Sequence, residues 1–222
     1  MNQKADTVEA APYGAAKERL LRVLLEPRAE KRSSYQVAKD ANVSYGWAHA
    51  LLHEWAQEGM IKATRVVRPT RLFEEWAKMP QRAKTAEFQI QEPHTLFTKT
   101  TLDYAWTTYW AEKLVQQHLF PRRLDFYTSL QHWNRWRKQL ANDGLMGGGN
   151  VRVILADHHV LETSYLVRER RVVSTPQLIV DLMREGGPCR EAAELLITKE
   201  YHARRQAFLG GSLATLNQAS KP

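Results

Sequence analysis

The chain has a single cysteine, Cys189, in 222 residues. An intrachain disulfide is therefore excluded, and a reducing compartment suits the composition better than a secreted, disulfide-built fold. Cys189 stands at the start of a helical stretch, where a small, partly buried residue is expected rather than a nucleophile. No apolar run approaches the ~18 residues of a membrane span, so no membrane role is expected. The opening residues, MNQKADTVEAAPYGAA, lack the apolar centre of a signal peptide. Acids are the scarcer charge: Asp plus Glu is 24 against 32 for Lys plus Arg, a formal charge of +8. A basic chain favours polyanionic partners, and a cytoplasmic protein facing nucleic acid is the expectation.

Catalytic signatures are equally sparse. Gly147-Gly148-Gly149 precedes a strand-like run, as a glycine pair does in nucleotidyltransferases. Those enzymes also need two carboxylates at i, i+2 to hold a two-metal clamp. Asp157 is followed by His158-His159, and Asp125 has Tyr127 at that spacing. There is no G-x-G-x-x-G fingerprint and no Walker A lysine. His158 and His159 would point to opposite sides of an extended chain, which is poor for one metal, so a solvated turn is expected. Arg168-Glu169-Arg170-Arg171 with Arg122-Arg123 forms either a second basic patch or a solvated face. The expectation is a protein that is not an enzyme and has no cofactor and no metal.

What the chain does have is the stretch Ser34 to Arg71, SYQVAKDANVSYGWAHALLHEWAQEGMIKATRVVRPTR. It reads as helix, turn, helix and basic β-ribbon, the plan of a winged helix-turn-helix. A preceding helix, Ala15 to Leu25, carries the stripe Leu20, Leu21, Leu24, Leu25 and stops before Pro27. Ser34 is the expected N-cap of a helix from Tyr35 to Asp40. Ala41-Asn42-Val43 makes the turn, with Asn42 suited to a left-handed conformation. Ser44 caps the second helix, Tyr45 to Glu58, and Gly59 ends it. Ala48, Leu51, Leu52 and Trp55 make its inner face. A hairpin follows, with Arg68-Pro69-Thr70 at or near its tip, then a short helix from Leu72 to Met79.

Helix-turn-helix proteins place the start of the second helix in the major groove. Asn42, Tyr45, Trp47 and His49 are therefore the candidate base-reading residues, and Ser44 joins them as a DNA-binding candidate. Ser44 to Glu58 contains no Lys or Arg, although Arg is the commonest reader of guanine. The cations lie on the wing instead: Lys62, Arg65, Arg68 and Arg71, positioned to grip phosphates or the minor groove. The bland alternative is a winged helix used for protein contact, with Trp47 in the core.

The second half reads as an α/β domain with a small sheet. Thr100 to His118 is expected as a helix, with Trp106 and Trp110 on one core-facing side rather than as a stacking platform. Arg123 to Thr128 alternates as a strand, and Leu130 to Leu140 reads as a helix. Asn150 to Ala156 is the clearest buried strand, paired through Asp157-His158-His159 with a second from Val160 to Val167. Ser174 caps a helix with Pro176 in its first turn. Gly186-Gly187 ends it, and Pro188 opens a last helix to about Phe208.

Four strings in this half stand out: Tyr104-Ala105-Trp106-Thr107-Thr108, Gly149-Asn150-Val151, Val172-Val173-Ser174-Thr175-Pro176-Gln177 running into Val180-Asp181-Leu182, and Arg190-Glu191-Ala192-Ala193-Glu194-Leu195-Leu196. Together with the helices ahead of them they resemble AbiEi-type antitoxins of type IV toxin-antitoxin systems, over roughly residues 15 to 200. Trp106 departs from the family, where many members carry Gly. The resemblance implies a winged helix that binds inverted repeats upstream of its own operon and represses it. It maps the helix Tyr45 to His53 and the wing Lys62 to Arg71 onto the family's DNA-binding elements. It also implies a C-terminal domain that counters a nucleotidyltransferase-like toxin. For Ser174, Gln177 and Asp181 the expected roles are structural.

The whole chain is then an α+β fold in five parts. These are a disordered N-terminus 1–14, a winged helix-turn-helix 15–80, a linker 81–94, an α/β antitoxin-like domain 95–209 and a flexible tail 210–222. Expected partners are double-stranded DNA, bound by two copies on an inverted repeat, and a cognate toxin. The alternative functions are a plasmid or mobile-element replication or conjugation protein, and a nucleotidyltransferase-like enzyme.

Overall fold

Leu20, Leu21, Leu24 and Leu25 are all buried, and they fix the inner face of α1, Ala15–Leu24. The computed structural model describes residues 15–27, 32–81, 83–98 and 100–202. The expected disordered start, the tail and the last turns before Phe208 lie outside the described residues. Helix α2, Ser34–Asp40, is capped by Ser33 rather than Ser34. Gln36 lies three residues after Ser33, so their side chains and backbone N–H groups satisfy each other as a capping box. Asn42 takes the left-handed turn at φ 51°, and α3 runs Tyr45–Gln57. Ala48, Leu52 and Trp55 are its buried side, and Gly59 ends it at φ 68°.

Strands β1, Ile61–Lys62, and β2, Arg65–Val66, pair antiparallel with Lys62 opposite Arg65. The hairpin tip is Ala63-Thr64, not Arg68-Pro69-Thr70 as the sequence suggests. Pro69 instead opens α4, Pro69–Lys78, since its fixed φ suits a first helical position. Leu72, Phe73 and Trp76 anchor that helix in the core.

The segment expected as a linker contains β3, Thr85–Ile90. Phe88 and Ile90 alternate with polar neighbours and are buried, so β3 belongs to the main sheet. A 3₁₀ turn, Pro93–Phe97, follows. Phe97 packs its ring 4.7–5.3 Å from those of Tyr104, Trp106, Phe126 and Trp136. The helix expected over Thr100 to His118 is split into β4, Ala105–Thr107, and α5, Thr108–Val115. Ala105–Thr107 instead pairs between the strands Leu124–Thr128 and Arg170–Val172, and Thr107 becomes the N-cap of α5. Trp106 is buried and Trp110 half-buried, their rings 5.8 Å apart. Both serve the core.

The remaining elements are β5 (Leu124–Thr128), α6 (Leu130–Asp143), β6 (Gly144–Met146), β7 (Val151–Leu155), α7 (His158–Glu162), β8 (Tyr165–Val167), β9 (Arg170–Val172), α8 (Thr175–Glu185) and α9 (Pro188–Ile197). The expected strand over Val160 to Val167 is a correction: Asp157 caps α7 there, and only β8 is extended. Strand β8 pairs with β9, not with β7. One mixed sheet of seven strands results, in the order β6-β3-β7-β5-β4-β9-β8. Gly149 lets β7 enter beside β3, because a Cβ there would lie 2.3 Å from the Phe88 carbonyl oxygen. The fold is mixed α and β, and no described helix is long and apolar enough to cross a membrane.

Candidate nucleic-acid interface

Tyr45, Trp47 and His49 all project from the first turns of α3 into solvent. Trp47 is 41% exposed, so the alternative that places it in the core does not hold. Tyr35 of α2 extends the file: its ring lies 6.0 Å from Tyr45, which lies 5.6 Å from His49. Asn42 and Ser44 are exposed at the turn. Ser44 caps α3 through its backbone and makes no side-chain capping bond. All five residues are thus brought to one end of α3.

Lys62, Arg65, Arg68 and Arg71 are exposed as well. The ion pairs of this half use other cations: Arg19 with Asp157, Arg32 with Asp40, Arg184 with Glu18 and Arg190 with Glu74. Lys62 and Arg65 stand directly opposite each other on β1 and β2, an arrangement of like charges that costs stability by itself. The hairpin is held in place by Thr64, whose Oγ1 donates to the Arg32 carbonyl at 2.5 Å. A polyanion laid across the ribbon would relieve the repulsion.

Gly46 completes this face. Its absent Cβ would meet nothing within 4 Å, so the fold does not require a glycine inside α3. Glycine there costs about 0.5–1 kcal/mol relative to alanine. Gly46→Ala is expected to raise stability by about that amount and to weaken nucleic-acid binding. Denaturant unfolding and a binding titration on the same variant check both signs.

Beneath the interface the two halves are joined by buried polar groups that the sequence did not single out together. Arg22 of α1 is 1% exposed. Its Nε and Nη2 donate to Gln177 Oε1 at 2.9 and 2.7 Å, and its Nη1 donates to His159 Nδ1 at 2.8 Å. A guanidinium only donates, so His159 Nδ1 accepts, and its Nε2–H donates to the Asp40 carbonyl at 3.0 Å. Arg19 clamps Asp157 with Nε and Nη2 at 2.7–3.0 Å. Arg184 bridges Glu18 and the Trp76 carbonyl. The expected solvated histidine turn is therefore half right: His158 is exposed, while His159 is buried at this junction. Gln177 and Asp181 are buried in this hydrogen-bonded network. Asp181 accepts from Thr107, Tyr127 and Gln177 rather than from an arginine. The one sequence signal for Arg22 was its place inside a leucine stripe.

Burial, and then the adjacent Arg22 charge, hold His159 below its ordinary value of 6.5. The Asp157 and Glu162 carboxylates and the Asp40 carbonyl pull the other way. Below 6.5 the unfolded chain therefore binds the extra proton first, so stability is fully present above that value and falls as pH drops beneath it. Asp181, raised above 3.8 by burial, has the opposite sign in a window that opens at 3.8 and runs upward. The urea midpoint is expected to fall between about pH 7.5 and about pH 5.5, and His159→Gln, which keeps an acceptor for Arg22, should flatten that slope.

The residues weighed for catalysis are otherwise engaged. Asp125 is fully buried and paired with Arg123 and Arg152, which also hold Glu185. Among the described residues no group of three or more His, Cys, Asp or Glu could hold a metal ion. Cys189 is buried at the start of α9. No family model, curated protein or solved structure matches this chain.

Proposed function

We propose that this chain is a sequence-specific DNA-binding protein whose residues 15–80 form a winged helix-turn-helix. The observation that carries the reading is one surface: the open end of α3, with Tyr45, Trp47, His49 and the bare backbone at Gly46, and four exposed cations, Lys62 and Arg65 on the hairpin, Arg68 after it and Arg71 in the first turn of α4, which have no carboxylate partner among the described residues. In this reading α3 enters the major groove, and Asn42, Ser44, Tyr45, Trp47 and His49 contact base edges. Lys62, Arg65, Arg68 and Arg71 neutralise phosphates and supply most of the affinity. The like-charged pair Lys62–Arg65 supports an anionic partner more directly than net charge does.

The resemblance to AbiEi-type antitoxins supports the finer reading of a transcriptional autorepressor in the cytoplasm. Two copies would occupy an inverted repeat, and the sheet-bearing half would answer a nucleotidyltransferase-like toxin. A gel-shift titration of the full chain on the DNA upstream of its own gene, with scrambled duplex as competitor, tests it. Retardation that survives competitor is the expected result. Equal binding to both duplexes would reduce the reading to charge-driven association, and no binding would overturn it.

A further inference from the structure

Phe120 is the most exposed large apolar side chain among the described residues, at 85%. A lone apolar residue on a surface needs no explanation. The loop that presents this one is held at four successive backbone positions, all by Glu112 of α5. Gln116 and Gln117 donate their N–H groups to its carbonyl at 2.9 and 3.2 Å. His118 and Leu119 donate theirs to its carboxylate at 2.9 and 2.7 Å. Gln117 takes the left-handed conformation, at φ 64°. Leu119 is buried as an anchor, and Gln116 Nε2 donates to the Ala192 carbonyl of α9 at 2.9 Å.

Such a clamp costs stability elsewhere. Glu112 is a buried carboxylate without a cation partner among the described residues. It lies in the last turn of α5, where the helix dipole disfavours an acid. What the clamp secures is the position of Phe120. Pro121 then fixes the next φ, and the chain enters β5 at Leu124. An aromatic ring held this way loses little freedom when it meets a partner.

The surroundings of the ring are cationic. Lys113 Nζ lies 5.6 Å from its centroid, and Arg122, two residues on, is exposed. Neither cation pairs with a carboxylate among the described residues, whereas the adjacent Arg123 is held by Asp125 and Glu185. The acid of this loop's surroundings, Glu191, faces His118 at 3.9 Å. One turn before Lys113, on the same face of α5, Trp110 is half-buried and stacks with the exposed His94 at 6.0 Å. Rings and unpaired cations are thus interleaved on this side of the molecule.

That pattern selects the ligand. A protein partner for Phe120 needs an apolar pocket rimmed by acids. A nucleic-acid strand supplies a flat π-face and a phosphate at every step. In a duplex the base faces are already stacked on one another, so the fit is to an unpaired base. We propose that Phe120 is the stacking platform of a second nucleic-acid site, which takes an unpaired base of a single strand while Lys113 and Arg122 take the flanking phosphates. The site lies in the sheet-bearing half and does not rest on the reading of α3.

The test removes the hairpin grip first. The full chain carrying Arg65→Glu and Arg68→Glu is titrated with a fluorescein-labelled thymine strand of about 16 nucleotides, and polarisation is read. It should bind the strand, and bind a duplex of equal length more weakly. In that background Phe120→Ala should weaken strand binding about 5- to 150-fold, the loss of one base stack. Phe120→Trp should bind as well as its parent. Phe120→Leu, which is apolar but has no π-face, should lose as much as the alanine variant. Lys113→Gln and Arg122→Gln should each lower the log–log salt slope by about 0.7. Phe120 is outside the core, so its variants should keep the parent's Tm. No binding of the strand, a duplex bound equally, a Phe120→Leu protein that binds like its parent, or salt slopes unchanged in both glutamine variants would overturn the proposal. The gel shift of the unmodified chain on duplex reports α3 and its neighbouring cations, so either site can fail while the other stands.

Discussion

Arg65→Glu combined with Arg68→Glu is expected to abolish specific duplex binding while leaving the fold intact. Both side chains are exposed on or just after the hairpin and have no carboxylate partner among the described residues. The double variant removes two phosphate contacts and adds two repulsions, together several kcal/mol, or at least about 100-fold in Kd. Four cations, Lys62, Arg65, Arg68 and Arg71, at about 0.9 per contact predict a log–log salt slope near −3.6 for the unmodified chain. Lys62→Gln alone should lower that slope by about 0.9 with little change in preference among sequences. Stability argues the same way: a glutamate at 65 faces Lys62 across the ribbon, replacing a repulsive pair with an attractive one worth about 0.2–1 kcal/mol. Lost binding with unchanged or higher Tm therefore cannot be assigned to unfolding. If the double variant binds as tightly as the unmodified chain, the hairpin is not the phosphate grip.

Local signals made the first half legible. Asn42 in the turn, Gly59 after α3 and the leucine stripe of α1 each state a backbone or packing requirement that neighbouring residues satisfy. The cap moved by one residue because a capping box depends on the partner three positions on, Gln36, and not on the serine alone. The second half was less legible because its strands are short and depend on distant partners. Strand β3 has a readable alternation in Phe88 and Ile90, but its surroundings between Pro80 and Pro93 look like a linker. Trp106 and Thr107 read as helix until β5 and β9 pair on either side of β4. Asp157-His158-His159 reads as a turn because Arg19, which clamps Asp157, is 138 residues away. Exposed candidates could be named from type and spacing. The polar junction could not, since no periodicity marks a buried arginine whose acceptor is 155 residues distant.

That junction carries the largest expected effect on stability. Gln177→Leu removes the acceptor of both Arg22 Nε and Nη2, and also a donor to Asp181. Hydrogen bonds to a buried charge are worth about 1.5–3 kcal/mol, so their loss lowers Tm by roughly 3–12 °C in a chain of this size. Arg22→Met errs in the opposite direction, leaving Gln177 Oε1 and His159 Nδ1 without a donor at about 1–3 kcal/mol each. Joining the two substitutions replaces the pair with apolar side chains, an exchange often close to neutral. The double variant should thus be more stable than the sum of the singles predicts by about 2 kcal/mol or more. Urea unfolding of the four proteins closes the cycle. Single effects that add within about 0.5 kcal/mol would mean that Arg22 and Gln177 are not coupled. Neither residue touches the exposed end of α3 or the hairpin, so below its lowered Tm the Gln177→Leu protein should still bind duplex. It is thus the mirror image of the Arg65→Glu, Arg68→Glu protein, which stays folded and does not bind. Finding the two profiles exchanged would place the DNA contact at the junction and not on the hairpin.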